Sequence, residues 1–271
     1  MRALGIAVVV AVSLAPITIR AEDSVPARGA YLVNAVAICG RCHTTPGPGN
    51  QPFAGGRTIE TSAYKVQGSN ITPDPDTGIG TWTDEQIGHA ITHGVRPDGS
   101  QMSTAMPYDF YAALTDADRD AIVAYLRTLK PAQNPTAAPF YTIAPKASAA
   151  AMAGPAAGTG EVEHGRYLGT VARCLSCHST PRADGEPDLA AGLGHGGAVF
   201  EGPWGTVVAP DITPRGLADW SDDDIRRSLV RGVTPDGRPL AAPMQTKAYA
   251  QLTDGDLSAL VSWLRTLPRG N

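Results

Sequence analysis

The sequence predicts a mostly helical chain made of two copies of one unit, each of roughly a hundred residues. Two observations carry this. "GVRPDGSQMSTAMPYDFYAALTDADRDAIVAYLRTL", from Gly94, aligns without a gap with "GVTPDGRPLAAPMQTKAYAQLTDGDLSALVSWLRTL", from Gly232, at an offset of 138. All four cysteines fall in two matching stretches, "ICGRCHTTP" from Ile38 and "RCLSCHSTP" from Arg173.

The elements follow in chain order. Residues 1–21 read as a secretory leader: Arg2, an apolar run Ala3–Val12, then Ser13, Pro16 and Thr18 before "IRAED". Cleavage is placed after Ala21, with Ala15 as the alternative. The run is shorter than the ~20 apolar residues of a spanning helix, and no second run of that length exists, so no spanning segment is expected in the mature chain. Residues 27–38 fit a short helix leading into the first cysteine motif. Thr83 caps a helix with acidic residues in its first turn. Its counterpart starts at Ser221, with Asp224 three residues on, close to a capping box. Thr115 caps the last helix of the first unit, where Ile122, Tyr125, Leu126 and Leu129 share a face. Thr253 caps the equivalent helix, with Leu257, Leu260, Val261, Leu264 and Leu267 on one side. "RPDG" and "TPDG" fit type I turns.

The segments 44–81 and 179–219 are long and carry little expected regular structure. Loops of that length suit wrapping around something large. A Pro/Ala/Gly-rich stretch separates the units and reads as a tether, with Phe140, Tyr141 and Ile143 able to pack against a unit. The boundaries are therefore a leader over 1–21, a first unit over 22–132, a linker over 133–160 and a second unit over 161–271. Pro (23) and Gly (30) are abundant and aromatics are only 6%, so something besides side chains is expected in the interior. With 22 basic against 26 acidic residues and no basic run, there is no electrostatic footprint for nucleic acid.

Cys-x-x-Cys-His is the attachment motif of c-type haem. Cysteines at i and i+3 on a helical turn present both sulfurs to one side, and the next residue aims its imidazole at the iron. Cys39 and Cys42 are the expected thioether anchors and His43 the proximal ligand; Cys174, Cys177 and His178 repeat the set. A zinc site shared by the two motifs has the right ligand count, but the motifs sit at equivalent places in two units, which favours one site each. A redox pair needs a βαβ context that is not visible. Simple disulfides are possible after export, but they leave the histidines unexplained.

A methionine is the usual second ligand for electron transfer. The offset maps Met244 onto Met106 and leaves Met102 opposite Leu240, so Met106 and Met244 are the expected axial partners. Filling of the core is the competing reading of a single methionine. His89 and His93 read as a solvent-facing stripe and His164 as exposed. His195, in a glycine-rich loop, is the remaining histidine best placed to approach the second haem.

The two motifs, "NITPDPDTGIGTWTDEQI", "AMPYDFYAALTDADRDAIVAYLRTL" and "GRYL" resemble tandem-domain dihaem cytochromes c, in particular the cytochrome subunits of periplasmic alcohol, aldehyde and molybdenum dehydrogenases. The resemblance covers nearly everything outside leader and linker. It implies an all-α fold of two tandem cytochrome c domains, with first and last helices crossing at a small residue: Gly29 near Tyr125, Gly165 near Trp263. It implies two covalent haem c groups, and redox partners that are a dehydrogenase donor and a cytochrome or oxidase acceptor. Met106-Pro107-Tyr108 matches the family's distal segment; Met244-Gln245-Thr246 departs after the methionine. The three-haem alcohol dehydrogenase subunits carry a further haem domain and a membrane-binding tail, neither of which this sequence shows. The expected role is a periplasmic electron-transfer protein with no catalytic residues. The alternative is a dihaem peroxidase or thiosulfate-type oxidase with one open haem site.

Overall fold

The computed structural model describes residues 24–145, 159–183 and 185–269. The leader over 1–21 and residues 146–158 of the linker lie outside them.

Helix α1 (Val25–Tyr31) starts at Ser24, whose side chain accepts from the Ala27 amide. It runs into a π-helical turn, Leu32–Val36, whose Leu32, Val33, Ala35 and Val36 are buried. A short helix α2 (Gly40–His43) carries the first cysteine motif. Strands β1 (Thr58–Glu60) and β2 (Tyr64–Gln67) pair antiparallel, Thr58 opposite Gln67 and Glu60 opposite Lys65. Helices α3 (Asp84–His93), α4 (Tyr108–Tyr111) and α5 (Asp116–Thr128) follow. The chain then continues to pack on this half beyond residue 132. The Asn134 amide nitrogen donates to Thr77, and β3 (Phe140–Tyr141) pairs antiparallel with β2.

The second half repeats the order: α6 (Glu161–Val171), α7 (Cys174–His178), β4 (Val199–Gly202) with β5 (Gly205–Val208), then α8 (Asp222–Arg231), α9 (Thr246–Tyr249) and α10 (Asp254–Leu264). Both capping boxes close fully, Thr83 with Gln86 and Ser221 with Asp224.

The all-α expectation needs correction, because two small antiparallel sheets form, their strands falling in the long segments that read as irregular and, for β3, in the stretch read as linker. Their strands are at most four residues and mostly exposed, so no buried alternating face announces them. Pairing satisfies the backbone of loops that must stand off around a wide cavity.

In each half the first and last helices cross in contact: α1 on α5, and α6 on α10. The crossings need glycine. A Cβ on Gly29 would lie 1.9 Å from the Ala121 carbonyl oxygen and 2.8 Å from the Tyr125 Cβ; one on Gly165 would lie 1.8 Å from the Ala259 oxygen. The expected partners Tyr125 and Trp263 are the residues met at these points.

The halves dock as a near-symmetric pair. Helix α4 touches α6, and α9 touches the π-helical turn after α1. Asp118 receives two bonds of 2.8 Å from Arg28 of its own half and one of 2.6 Å from the Tyr167 hydroxyl of the other. Asp256 receives His164 Nε2 at 2.6 Å and the Tyr31 hydroxyl across the interface. His164, expected to be exposed, keeps 39% of its side chain exposed while bonding to Asp256. Both aspartates are 8% exposed, a burial tolerated because each carboxylate is matched by donors.

Two outcomes test this packing. Gly29→Ala is expected to cost at least about 1–3 kcal/mol, because backbone rather than a flexible side chain stands in the way. Gly255→Ala, on the exposed first turn of α10, is expected to leave stability unchanged or raised; denaturant unfolding of both variants is the check. The second outcome concerns Asp118. Burial raises its pKa, but bonding from Arg28 and Tyr167 outweighs this and holds it below the ordinary value. Its stabilisation is therefore present above about pH 3.9 and lost as the pH falls through the lowered folded value. The stability gap between the parent and Asp118→Asn should narrow on acidification below that point; a constant gap would contradict the assignment.

Candidate haem site

The first half encloses a cavity of about 360 Å³. Cys39, Cys42 and His43 line it, with Met102 and Met106, and an apolar wall that includes Ile71, Ile79, Ile87, Leu114 and Leu126. The structure therefore brings all four ligand and anchor residues expected in this half to one cavity.

The motif sits on a forced backbone. The residue before the first cysteine has a left-handed conformation in both halves, Ile38 at φ 54° and Arg173 at φ 59°. A β-branched residue there is strained, and such strain persists only where the surroundings over-determine it. It turns the chain sharply from the long helix into the short one, so that the cysteines and histidine face inward.

Each motif histidine is then oriented by a backbone carbonyl. His43 Nδ1 lies 2.7 Å from the Ser69 oxygen, and His178 Nδ1 lies 2.9 Å from the Pro210 oxygen. A nitrogen facing a carbonyl must be the protonated one, which leaves Nε2 free to ligate. Burial lowers the pKa of both histidines, with the carbonyl bond opposing, so the neutral, ligating form is favoured. Ser69 and Pro210 directly precede "NITP" and "DITP". Asn70 Oδ1 accepts from the amide and hydroxyl of Thr72, and Asp211 Oδ1 does the same for Thr213. Thr72 and Thr213 are 0% exposed. These side-chain turns hold the carbonyl that holds the histidine.

The methionine side is equally matched. Met106 and Met244 both pack against the apolar core. The residues following them, Pro107 and Gln245, share backbone angles of φ −85°, ψ 55° and φ −94°, ψ 47°, so the Pro-to-Gln departure leaves the loop path intact. Met102 also reaches the cavity. Its amide bonds to the Gly94 oxygen at 2.7 Å, as that of Leu240 bonds to Gly232 at 2.7 Å, so its structural counterpart is a leucine.

The rival chemistries lack support in the geometry. Neither cysteine pair forms a disulfide. Among the described residues no three His, Cys, Asp or Glu side chains converge as a metal site, which counts against a shared zinc. Burial pushes the Cys39 and Cys174 thiols up to about 12, the reverse of a redox-active pair. His89 and His93 stack at 4.4 Å on an exposed helix face. His195 Nδ1 stands 3.6 Å from Asp211, in the loop cradle that orients His178.

Two arginines and a pair of buried donors carry roles that the sequence does not single out. Arg127 donates to the oxygens of Ile79 and Trp82, and Arg265 to those of Leu217 and Trp220, each also pairing with the first acid of the following helix. Both arginines stand in "LRTL", so the repeat itself was the available signal. The donors are Tyr141 Oη and Arg173 Nε, which line the first cavity, are shut off from solvent and have no hydrogen-bond partner. A large apolar guest with polar substituents fits this lining. Haem c is such a guest; Cys39 and Cys42 would be its anchors and His43 Nε2 a ligand.

Comparison with known proteins agrees. A protein-family scan matches cytochrome c over residues 26–130. The chain is 36% identical to the fructose dehydrogenase cytochrome subunit of Gluconobacter japonicus, covering 89% of this chain and 52% of that protein. It is 32% identical to the cytochrome c subunit of the quinone alcohol dehydrogenase of Gluconobacter oxydans, over 92% of this chain and 56% of that protein. It thus spans little more than half the length of these relatives. A diheme cytochrome c-type protein of Cereibacter sphaeroides is 31% identical over 85% of this chain and 82% of its own. The chain belongs to the cytochrome c family, and its cofactor is covalently attached haem c.

Proposed function

We propose that this chain is a periplasmic dihaem electron-transfer protein. It would comprise two tandem cytochrome c domains, 22–132 and 161–271, joined by the linker 133–160 and exported by the leader 1–21. It would take electrons from a dehydrogenase and pass them toward the respiratory chain. The observation that carries this reading is the duplicated ligand set: each half presents a carbonyl-pinned histidine and a methionine on the same loop path.

Bound haem supplies reversible one-electron chemistry; the chain's own residues set the conditions. Cys39, Cys42, Cys174 and Cys177 fix two groups covalently. His43 and Met106 would hold one iron and His178 and Met244 the other, which would leave no position open to substrate. The apolar lining excludes water and limits reorganisation on electron exchange. Two groups in one chain suit the collection of two electrons from a two-electron oxidation and their release one at a time. The names of the dehydrogenase-subunit relatives support a dehydrogenase as donor, and the role of a subunit rather than of the catalytic chain. Among the described residues no helix is long and apolar enough to cross a membrane.

Two measurements test the reading. The mass of the denatured, exported protein should include two haem groups; release of haem on denaturation would sink the covalent claim. Met106→Ala and Met244→Ala should each remove the near-infrared methionine–iron band of one haem, with Met102→Ala leaving both bands in place. Loss of a band in Met102→Ala instead would transfer the first ligand role to that residue.

A further inference from the structure

We propose that Arg173, a residue of the second half, is an electrostatic tuning residue for the haem of the first half. This rests on the dihaem reading above. The geometry is specific. Arg173 immediately precedes Cys174, yet it lines the cavity of the other half together with Cys39, Cys42 and His43. Its Nε is buried without a partner. Among the described residues no carboxylate forms an ion pair with it. Tyr111 and Cys42 of the first half and Tyr249 and Cys177 of the second lie within electrostatic range of its charge. Arg41, between the first two cysteines, lies within electrostatic range of both Arg173 and Cys177. The two attachment turns therefore bring two guanidinium groups within electrostatic range of each other, and among the described residues no carboxylate forms an ion pair with either. In the first half the residue matching Arg173 is Ile38, so the charge at this position enters from one side only.

An arginine stays charged at all working pH values. Electron loss makes the haem more positive, and a half-buried cation lining the same cavity as its anchoring cysteines opposes that loss. Arg173 is thus expected to raise the reduction potential of the first haem. A unit charge at ~10 Å in an effective dielectric of ~20 changes such an equilibrium by roughly tenfold or somewhat more.

The test is a spectroelectrochemical titration of the haem-loaded, full-length protein. Arg173→Gln and Arg173→Met should each lower one of the two one-electron components by about tenfold in its equilibrium constant, about 59 mV. Arg173→Lys should restore most of the shift. Met244→His, which replaces a methionine ligand by a lower-potential histidine, marks the second haem; the Arg173 shift should fall on the other component. No shift in the neutral variants, equal shifts of both components, or a Lys variant that behaves like Gln would overturn the proposal. So would failure of both neutral variants to load haem, which would make Arg173 a folding requirement. A Met244→His variant that moves neither component would count against the Met244 ligand reading, while the parent comparison would still decide on Arg173.

Discussion

Each half of this protein is organised by one hydrogen bond, from an imidazole Nδ1 to a backbone carbonyl. A histidine after a cysteine pair has two nitrogens and a rotatable ring, and only one arrangement presents Nε2 to an iron. Ser69 and Pro210 impose that arrangement at 2.7 Å and 2.9 Å. The carbonyls hold their place because Asn70 and Asp211 close side-chain turns onto buried threonines. Arg127 and Arg265 then tie the far end of the same loop to the last helix. The glycine crossings fix that helix against the first one. Cap, loop and crossing thus form one chain of constraint ending at the ring nitrogen.

The way the halves dock gives this arrangement a second level. The tyrosines of the two first helices donate to aspartates of the opposite last helices, Tyr31 to Asp256 and Tyr167 to Asp118. The interface is nearly self-complementary, as expected when a duplicated unit packs on its copy. The pairing breaks down where Arg28 is matched by His164 and Ile38 by Arg173. Those departures are where the two halves differ in charge.

Much of this was legible in the residues. The capped helices at Thr83, Thr115, Ser221 and Thr253 follow from local chemistry that tertiary context did not override. Gly29 and Gly165 were identifiable from the resemblance, and both meet the expected residues. The strands were not legible. β1 and β2 are three and four residues long with a single buried side chain, Val66, which pairs with Ile59 at the cavity wall, too short a stripe to stand out in the sequence. β4 and β5, "VFEG" and "GTVV", do not alternate, and Val199 and Val208 are 59% and 60% exposed. The role of Arg173 could not be read either, since it depends on how the halves dock. Its neighbours Cys42 and Tyr111 are more than sixty positions away in the sequence.

The central claim is that both irons are closed by protein ligands. Carbon monoxide binding to the fully reduced, haem-loaded protein tests it most directly. The account predicts no rapid adduct at either haem, because His43 with Met106 and His178 with Met244 leave no free position. A rapid adduct at one of the two haems would contradict it and mark an exchangeable ligand, the signature of a dihaem peroxidase or oxidase instead of an electron carrier.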